Sequence, residues 1–101
     1  GLDVLFTKVN AIYQDKLGNK AKRIFEAFNE THPDAVAKLK TFYPDLTDTE
    51  VDISVLSYFA FRLKEIADIL ELRENTVAKY RSSIKKKAQS DSVENLMERV
   101  L

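Results

Sequence analysis

Leu63-Lys64-Glu65-Ile66-Ala67-Asp68-Ile69-Leu70, then Glu71-Leu72-Arg73, then Glu74-Asn75-Thr76-Val77-Ala78-Lys79-Tyr80-Arg81-Ser82-Ser83-Ile84-Lys85-Lys86-Lys87, is the stretch whose reading decides the fold. Leu63, Ile66, Ala67, Ile69 and Leu70 mark the inner side of a short helix near Arg62–Leu70. Ala67 is small where two crossing helices would approach closely. Glu71–Arg73 supplies a tight turn, and the spacing predicts a second helix over about Glu74–Ala88. At roughly 100° per residue, Val77, Tyr80, Arg81, Ile84 and Ala88 share one face of it. Asn75, Lys79, Ser82 and Lys86 lie opposite, flanked by Ala78 and Ser83. The layout is helix, turn, helix, with the second helix basic on its free side.

The segments on either side are also helical in pattern. Leu46-Thr47-Asp48-Thr49-Glu50-Val51 predicts a helix start. Thr47 can cap the amide three residues on, Glu50 can reach back, and Leu46 and Val51 hold the positions of a hydrophobic staple. The helix that follows presents Val51, Val55/Leu56 and Phe59, with Ile53 and Tyr58 broadening its face. Before it, Thr31-His32-Pro33 breaks one pattern and begins another, since proline suits a first helical turn. That helix carries Val36, Leu39 and Phe42/Tyr43, and Pro44 stops it. From Leu2 to Phe28, apolar residues recur at spacings of three and four, which predicts one long helix over Asp3–Asn29 of roughly 40 Å. Gly18-Asn19 is its weak point, where one helix could end and another start. Val93, Leu96/Met97 and Val100/Leu101 predict a last amphipathic helix near Ser92–Leu101. No strand-like alternation, internal repeat or low-complexity segment is present.

Length and composition bound the rest. A chain of 101 residues is one domain by size. With 45% apolar and 32% charged residues it is globular and not disordered. The absence of cysteine excludes a disulfide frame, a thiolate zinc site and a cysteine nucleophile, and suits a reducing cytosol. No apolar run approaches the ~20 residues of a membrane span, so no membrane contact is expected of this segment. Met97 is the only Met, and the chain is expected to be a piece of a longer protein. Net charge is zero, but its distribution is uneven. Residues 62–87 carry eight Lys/Arg against four acids, and residues 1–25 carry five against two. Residues 26–61 carry seven acids against two Lys.

Several of these features also have simpler structural readings. Lys85–Lys87 would offset a helix dipole at its C-terminal end without any ligand. Thr76 can act as a local cap, and Tyr80 as a packing residue. Asp45, Asp48, Glu50 and Asp52 read as helix N-terminal charges and a solvated face, and His32 as a cap or surface residue. A lone His without Cys offers no metal site, and no Gly-rich phosphate loop is present, so no cofactor is expected. An enzyme is the least expected class, because no catalytic residues stand at informative spacing.

Leu46-Thr47-x-x-Glu50, Lys64-Glu65-Ile66-Ala67-x-x-Leu70, Leu72, Thr76-Val77 and Ile84-x-x-Lys87 together resemble the LuxR/GerE-type helix-turn-helix of bacterial transcription regulators. The resemblance covers about residues 45–88 without gaps. Phe25-x-x-Phe28, His32-Pro33, Leu39, Tyr43-Pro44 and Asn95-Leu96 resemble a sub-group in which the domain ends a sensor protein and follows a helical connector. The implied fold is all-α, a tetrahelical LuxR-type bundle over residues 45–101 preceded by a connector or packing segment over residues 1–44. The implied function is sequence-specific binding of double-stranded promoter DNA in the bacterial cytoplasm, as a homodimer, with RNA polymerase as a further partner.

Carried over by position, the resemblance places Asn75, Ala78, Lys79, Ser82 and Ser83 toward base edges, and Lys64, Thr76, Arg81, Lys85 and Lys86 toward phosphates. It assigns Val93, Leu96, Met97 and Val100 to the dimer contact, with folding back on their own domain as the alternative. The chain departs from the family at Ala60, where glycine is usual, at Arg62 and Arg73, where a capping serine is usual, and at Ala78, often Lys; at Glu71 many helix-turn-helix proteins carry glycine in the turn. Ser and Ala offer little of the bidentate base discrimination worth ~1–3 kcal/mol, so phosphate contacts are expected to supply much of the affinity. Two alternatives remain: a module resembling region four of sigma factors on RNA polymerase, and a protein–protein module that keeps the fold without DNA binding.

Overall fold

A computed structural model describes residues 2–101, with side chains from residue 4 onward. It is all-helical among these residues: α1 (Leu2–Gln14), α2 (Lys20–Thr31), α3 (Ala35–Phe42), α4 (Asp48–Tyr58), α5 (Leu63–Leu70), α6 (Glu74–Ala88) and a closing 3-10 turn at Met97–Arg99. The predicted Asp3–Asn29 helix is divided. The break falls where the sequence is weakest, and the left-handed residue is Asn19, with φ 58°, not Gly18. Asparagine is among the few side chains that visit this region readily. A continuous helix of roughly 40 Å would exceed the longest dimension of the molecule, 35 Å.

The loop is tied by its own side chains. Asp15 Oδ1 accepts from the Leu17 amide at 3.0 Å and from the Arg23 guanidinium at 3.1 Å. The Arg23 hydrogen bond holds the Asp15 carboxyl below its usual range. Lys20 donates to the Tyr13 carbonyl oxygen. Lys8 and Glu30, 3.7 Å apart, bridge the other end of the α1–α2 hairpin.

The hairpin belongs to the same core as the rest of the chain. Phe6 of α1 packs on Tyr58 and Phe59 with ring centroids 5.3 and 5.0 Å away. Phe28 of α2 meets Phe59 edge-on at 5.8 Å, and Tyr13 meets Phe61 at 5.1 Å. Such tilted and edge-on pairs are the favourable aromatic arrangements. Leu5, Val9, Ile12, Ile24 and Phe28 are all buried. The Leu2 side chain, which opens the predicted stripe, lies outside the described residues. Residues 4–44 therefore pack against residues 45–101 and do not stand apart from them.

The central element is α4. Glu50, Val51 and every residue from Ile53 to Tyr58 are buried, so this helix is covered all round by α3, α5, α6 and the closing turn. Its buried hydroxyls are satisfied: Ser54 Oγ donates to the Glu50 carbonyl at 2.8 Å, and Ser57 Oγ accepts from Arg81 at 3.0 Å. The predicted capping box is present, with the Glu50 amide donating to Thr47 Oγ1 at 3.2 Å and the Thr47 amide donating to Glu50 Oε1 at 2.8 Å.

Three helices end in the same way. The residue after the helix, or one beyond it, is left-handed, and the next amide reaches back five residues. Phe61 N donates to Leu56 O at 3.3 Å, Leu72 N to Ala67 O at 2.9 Å and Ser90 N to Lys85 O at 3.0 Å. These are Schellman stops, which favour glycine at the left-handed site. Here the sites are Ala60 (φ 62°), Glu71 (φ 56°) and Gln89 (φ 50°). Ala60, Glu71 and Gln89 are thus held where a Cβ is disfavoured.

The predicted terminal helix near Ser92–Leu101 does not form. Residues 91–96 are turns and bends, and only Met97–Arg99 is helical, as one 3-10 turn. Val93, Leu96, Met97 and Val100 are all at or below 5% exposure within a single chain. Of the two roles expected for them, the chain shows the fold-back: they close the core over α4. The spacing of three and four suits a folded-back segment as well as a helix.

A left-handed non-glycine residue costs ~1–2 kcal/mol, partly offset in a glycine variant by the greater freedom of its unfolded chain. Ala60→Gly and Glu71→Gly are each expected to raise unfolding free energy by about 0.5–1 kcal/mol in urea titration. Unchanged or lowered stability in both variants would contradict the Schellman assignment.

Candidate nucleic-acid interface

α6 is fixed by what it buries. Val77, Ile84 and Ala88 face the core at 0, 1 and 6% exposure. The opposite side carries Asn75, Lys79, Ser82 and Lys86, all exposed. Lys85 is exposed beside them, and Ala78 is half-buried. The predicted face therefore exists as a continuous surface. Tyr80 is half-buried and packs against the core.

The cations of α6 divide into two groups. Arg81 turns inward, donating to Ser57 Oγ at 3.0 Å and pairing with Glu94. Both guanidinium arms are thus engaged within the chain, unlike the other cations expected at phosphates. Lys87 pairs with Glu50 at 2.6 Å. Lys79, Lys85 and Lys86 make no ion pair among the described residues and stay on the surface. On α5, Lys64 is likewise exposed and unpaired among the described residues.

Thr76 and Ser83 do not share the outermost surface. Both are half-buried and line a cavity of about 340 Å³ between the start of α4 and the flank of α6, with Thr47, Tyr80, Lys79 and Lys87. Ser83 lines that cavity beside Glu50 and so belongs to the inner contact more than to the outer face.

α5 and α6 are separated only by Glu71–Arg73. Their N-caps are the two arginines noted as departures, Arg62 and Arg73, both exposed and in extended conformation. A guanidinium has no acceptor and cannot cap. At α5 only the reverse bond is made, from the Arg62 amide to Glu65 Oε1 at 2.7 Å. These positions hold cations at two helix N-termini, next to Lys64 and Asn75. Both are exposed cations at positions where the sequence pattern lacks a capping serine.

The electrostatic centre behind this surface is Glu50, 1% exposed. Burial alone would raise its carboxyl pKa, but the Lys87 ammonium, the Thr47 amide and the Ser83 hydroxyl together hold it below the usual range. Glu50 therefore stays ionised in the folded chain and fixes the last turn of α6 to the first turn of α4.

Among the described residues no group of three or more His, Cys, Asp or Glu side chains converges on a metal-sized site, and no helix is long and apolar enough to cross a membrane. Comparison with known proteins finds no matching family model, no similar curated protein and no similar solved structure.

A carboxyl whose folded pKa is depressed adds stability above its unfolded pKa, ~4.3, and loses it as pH falls through the folded value. Glu50→Gln keeps an acceptor for Thr47 but leaves Lys87 unpaired. It is expected to cost about 1–3 kcal/mol at pH 7. The difference from the wild-type chain should shrink as pH falls below ~4. Urea unfolding at pH 7 and pH 3 checks this, and a pH-independent difference would contradict it.

Proposed function

We propose that this domain binds duplex DNA through α5 and α6 acting as a helix-turn-helix, as the output module of a LuxR/GerE-type bacterial transcription regulator. The observation that carries the reading is the sorting of charge on α6. Arg81 and Lys87 are neutralised on the inner side, while Lys79, Lys85 and Lys86 remain unpaired on the outer side. An α-helix fits the major groove of B-DNA, and phosphate charge attracts such a face. Lys79, Ser82 and Asn75 point where base edges would lie. Lys64, Lys85 and Lys86, joined by Arg62 and Arg73, would meet phosphates on either side.

Base reading rests on few groups. Lys79 can donate to guanine and Asn75 can pair with adenine, while Ser82 and Ala78 discriminate weakly. Much of the affinity then comes from phosphates, and specificity from two half-sites read by a dimer. The dimer contact lies outside Val93, Leu96, Met97 and Val100, which are occupied within the chain.

Each phosphate contact contributes roughly 0.9 to the slope of log K against log salt. Lys86→Ala is expected to weaken binding to all duplexes alike and to reduce that slope by about 1. Lys79→Ala should instead change the preferred sequence in a binding-site selection. Fluorescence anisotropy on a duplex of about 30 base pairs, from ~50 mM salt upward, measures the first. No duplex affinity at the lowest salt would refute the reading.

A further inference from the structure

The outward face of α6 leaves the cavity at its flank without a role. Thr76, Tyr80, Ser83 and Lys87 follow one another at spacings of four, three and four, so they form one stripe along the helix. Lys79 is three residues after Thr76 and four before Ser83. It therefore stands on the ridge between this stripe and the outward face. The opposite wall is the start of α4, with Thr47 and Glu50. At about 340 Å³ the space falls at the small end of the range for ligand sites, roughly 300–1,000 Å³. Its surface is mostly carbon, from the Tyr80 ring, the threonine methyls and the lysine stems. An apolar wall on which a few polar groups converge is the usual make-up of a small-molecule site.

The charges around the cavity select the ligand. Glu50 is buried and met by Lys87 at 2.6 Å, so that pair is neutral as a unit. No other acid lines the space. Lys79 is exposed and makes no ion pair among the described residues, which leaves one uncompensated positive charge at the rim. Thr76 and Ser83, about one turn to either side of Lys79, bring hydroxyls that can donate. An ammonium flanked by two hydroxyls suits a carboxylate, which accepts several hydrogen bonds and binds a charged donor most strongly. The largest apolar side chain on the wall is the half-buried Tyr80, and a flat ring is the body that gains most from packing against it.

We propose that this cavity is a binding site for a small aromatic carboxylate, whose carboxylate pairs with Lys79 and whose ring packs on Tyr80. The site itself does not depend on the DNA-binding reading above. Its consequence rests on that reading: Lys79 cannot hold the ligand and meet a base edge together, so the ligand and duplex DNA compete. The helix that reads DNA then carries its own ligand control at its flank.

The test titrates the isotopically labelled chain, without DNA, with benzoate. Benzamide, which lacks the charge, and inorganic phosphate, which lacks the ring, serve as comparison probes. Benzoate is expected to shift the amides of Thr76, Lys79, Tyr80 and Ser83 saturably, with a Kd on the order of 1 mM. Benzamide should bind about ten-fold more weakly, and Lys79→Ala should weaken benzoate by about the same factor, the worth of a hydrogen bond to a charged group. Lys38→Gln on α3, outside the cavity, should bind benzoate as the wild-type chain does. Equal affinity for benzamide, or shifts spread over the exposed lysines without saturation, would overturn the site. Phosphate bound as tightly as benzoate would overturn it in favour of a plain anion site. With benzoate at about ten times its Kd, duplex affinity should fall roughly ten-fold relative to sodium chloride at the same concentration. Undiminished duplex affinity would overturn the competition. A chain that binds benzoate but no duplex would refute the DNA-binding reading and leave the site standing. One that binds duplex but no benzoate would refute the site alone.

Discussion

Glu50 is a carboxylate with 1% exposure whose Oε1 accepts from two sources, the Thr47 amide at 2.8 Å and the Lys87 ammonium at 2.6 Å. The first bond starts α4, the helix around which the others pack. The second pins the last turn of α6 to that start. Because α6 is held at this end by Glu50 and near its middle by Ser57 and Glu94, it cannot roll about its axis without breaking charged contacts. The direction in which Asn75, Lys79, Ser82 and Lys86 point is therefore set from inside the protein. Buried ion pairs add little net stability but exact a large cost when one partner is lost. Here the pair acts as a registration device for the proposed reading helix.

Elsewhere the chain forgoes stability. Ala60, Glu71 and Gln89 occupy left-handed stops that glycine would fill with less strain. Arg62 and Arg73 stand at N-caps where Ser or Asp would contribute ~1 kcal/mol each. Lys20 and Lys22 sit at a helix N-terminus that prefers acids. The two arginines share one property, positive charge on exposed positions at the starts of α5 and α6. The proposed phosphate contacts give these two a common reason; nothing in the structure explains Ala60, Glu71 or Gln89.

What the sequence made legible was local. The Thr47–Glu50 capping box depends on residues three apart, and the inner face of α6 on one helical period. Both are found as read. The weak point at Gly18-Asn19 was visible, but the fold-back that follows depends on Phe6 meeting Tyr58 and Phe59, contacts between distant segments. The helix stops carried no glycine to announce them. The inward turn of Arg81 and Lys87 depends on Glu94 and Glu50, which helical spacing cannot supply. The closing segment misled for another reason: Val93, Leu96, Met97 and Val100 keep helical spacing while folding back as turns.

The most direct measurement is a titration of the isotopically labelled chain with a short duplex, followed by amide chemical shifts. The account predicts the largest changes at Asn75, Lys79, Ser82 and Lys86, smaller ones at Arg62, Lys64 and Arg73, and still spectra for Val93–Val100. Changes confined to the exposed apolar residues Val4, Phe42 and Leu101, or no changes at low salt, would contradict it.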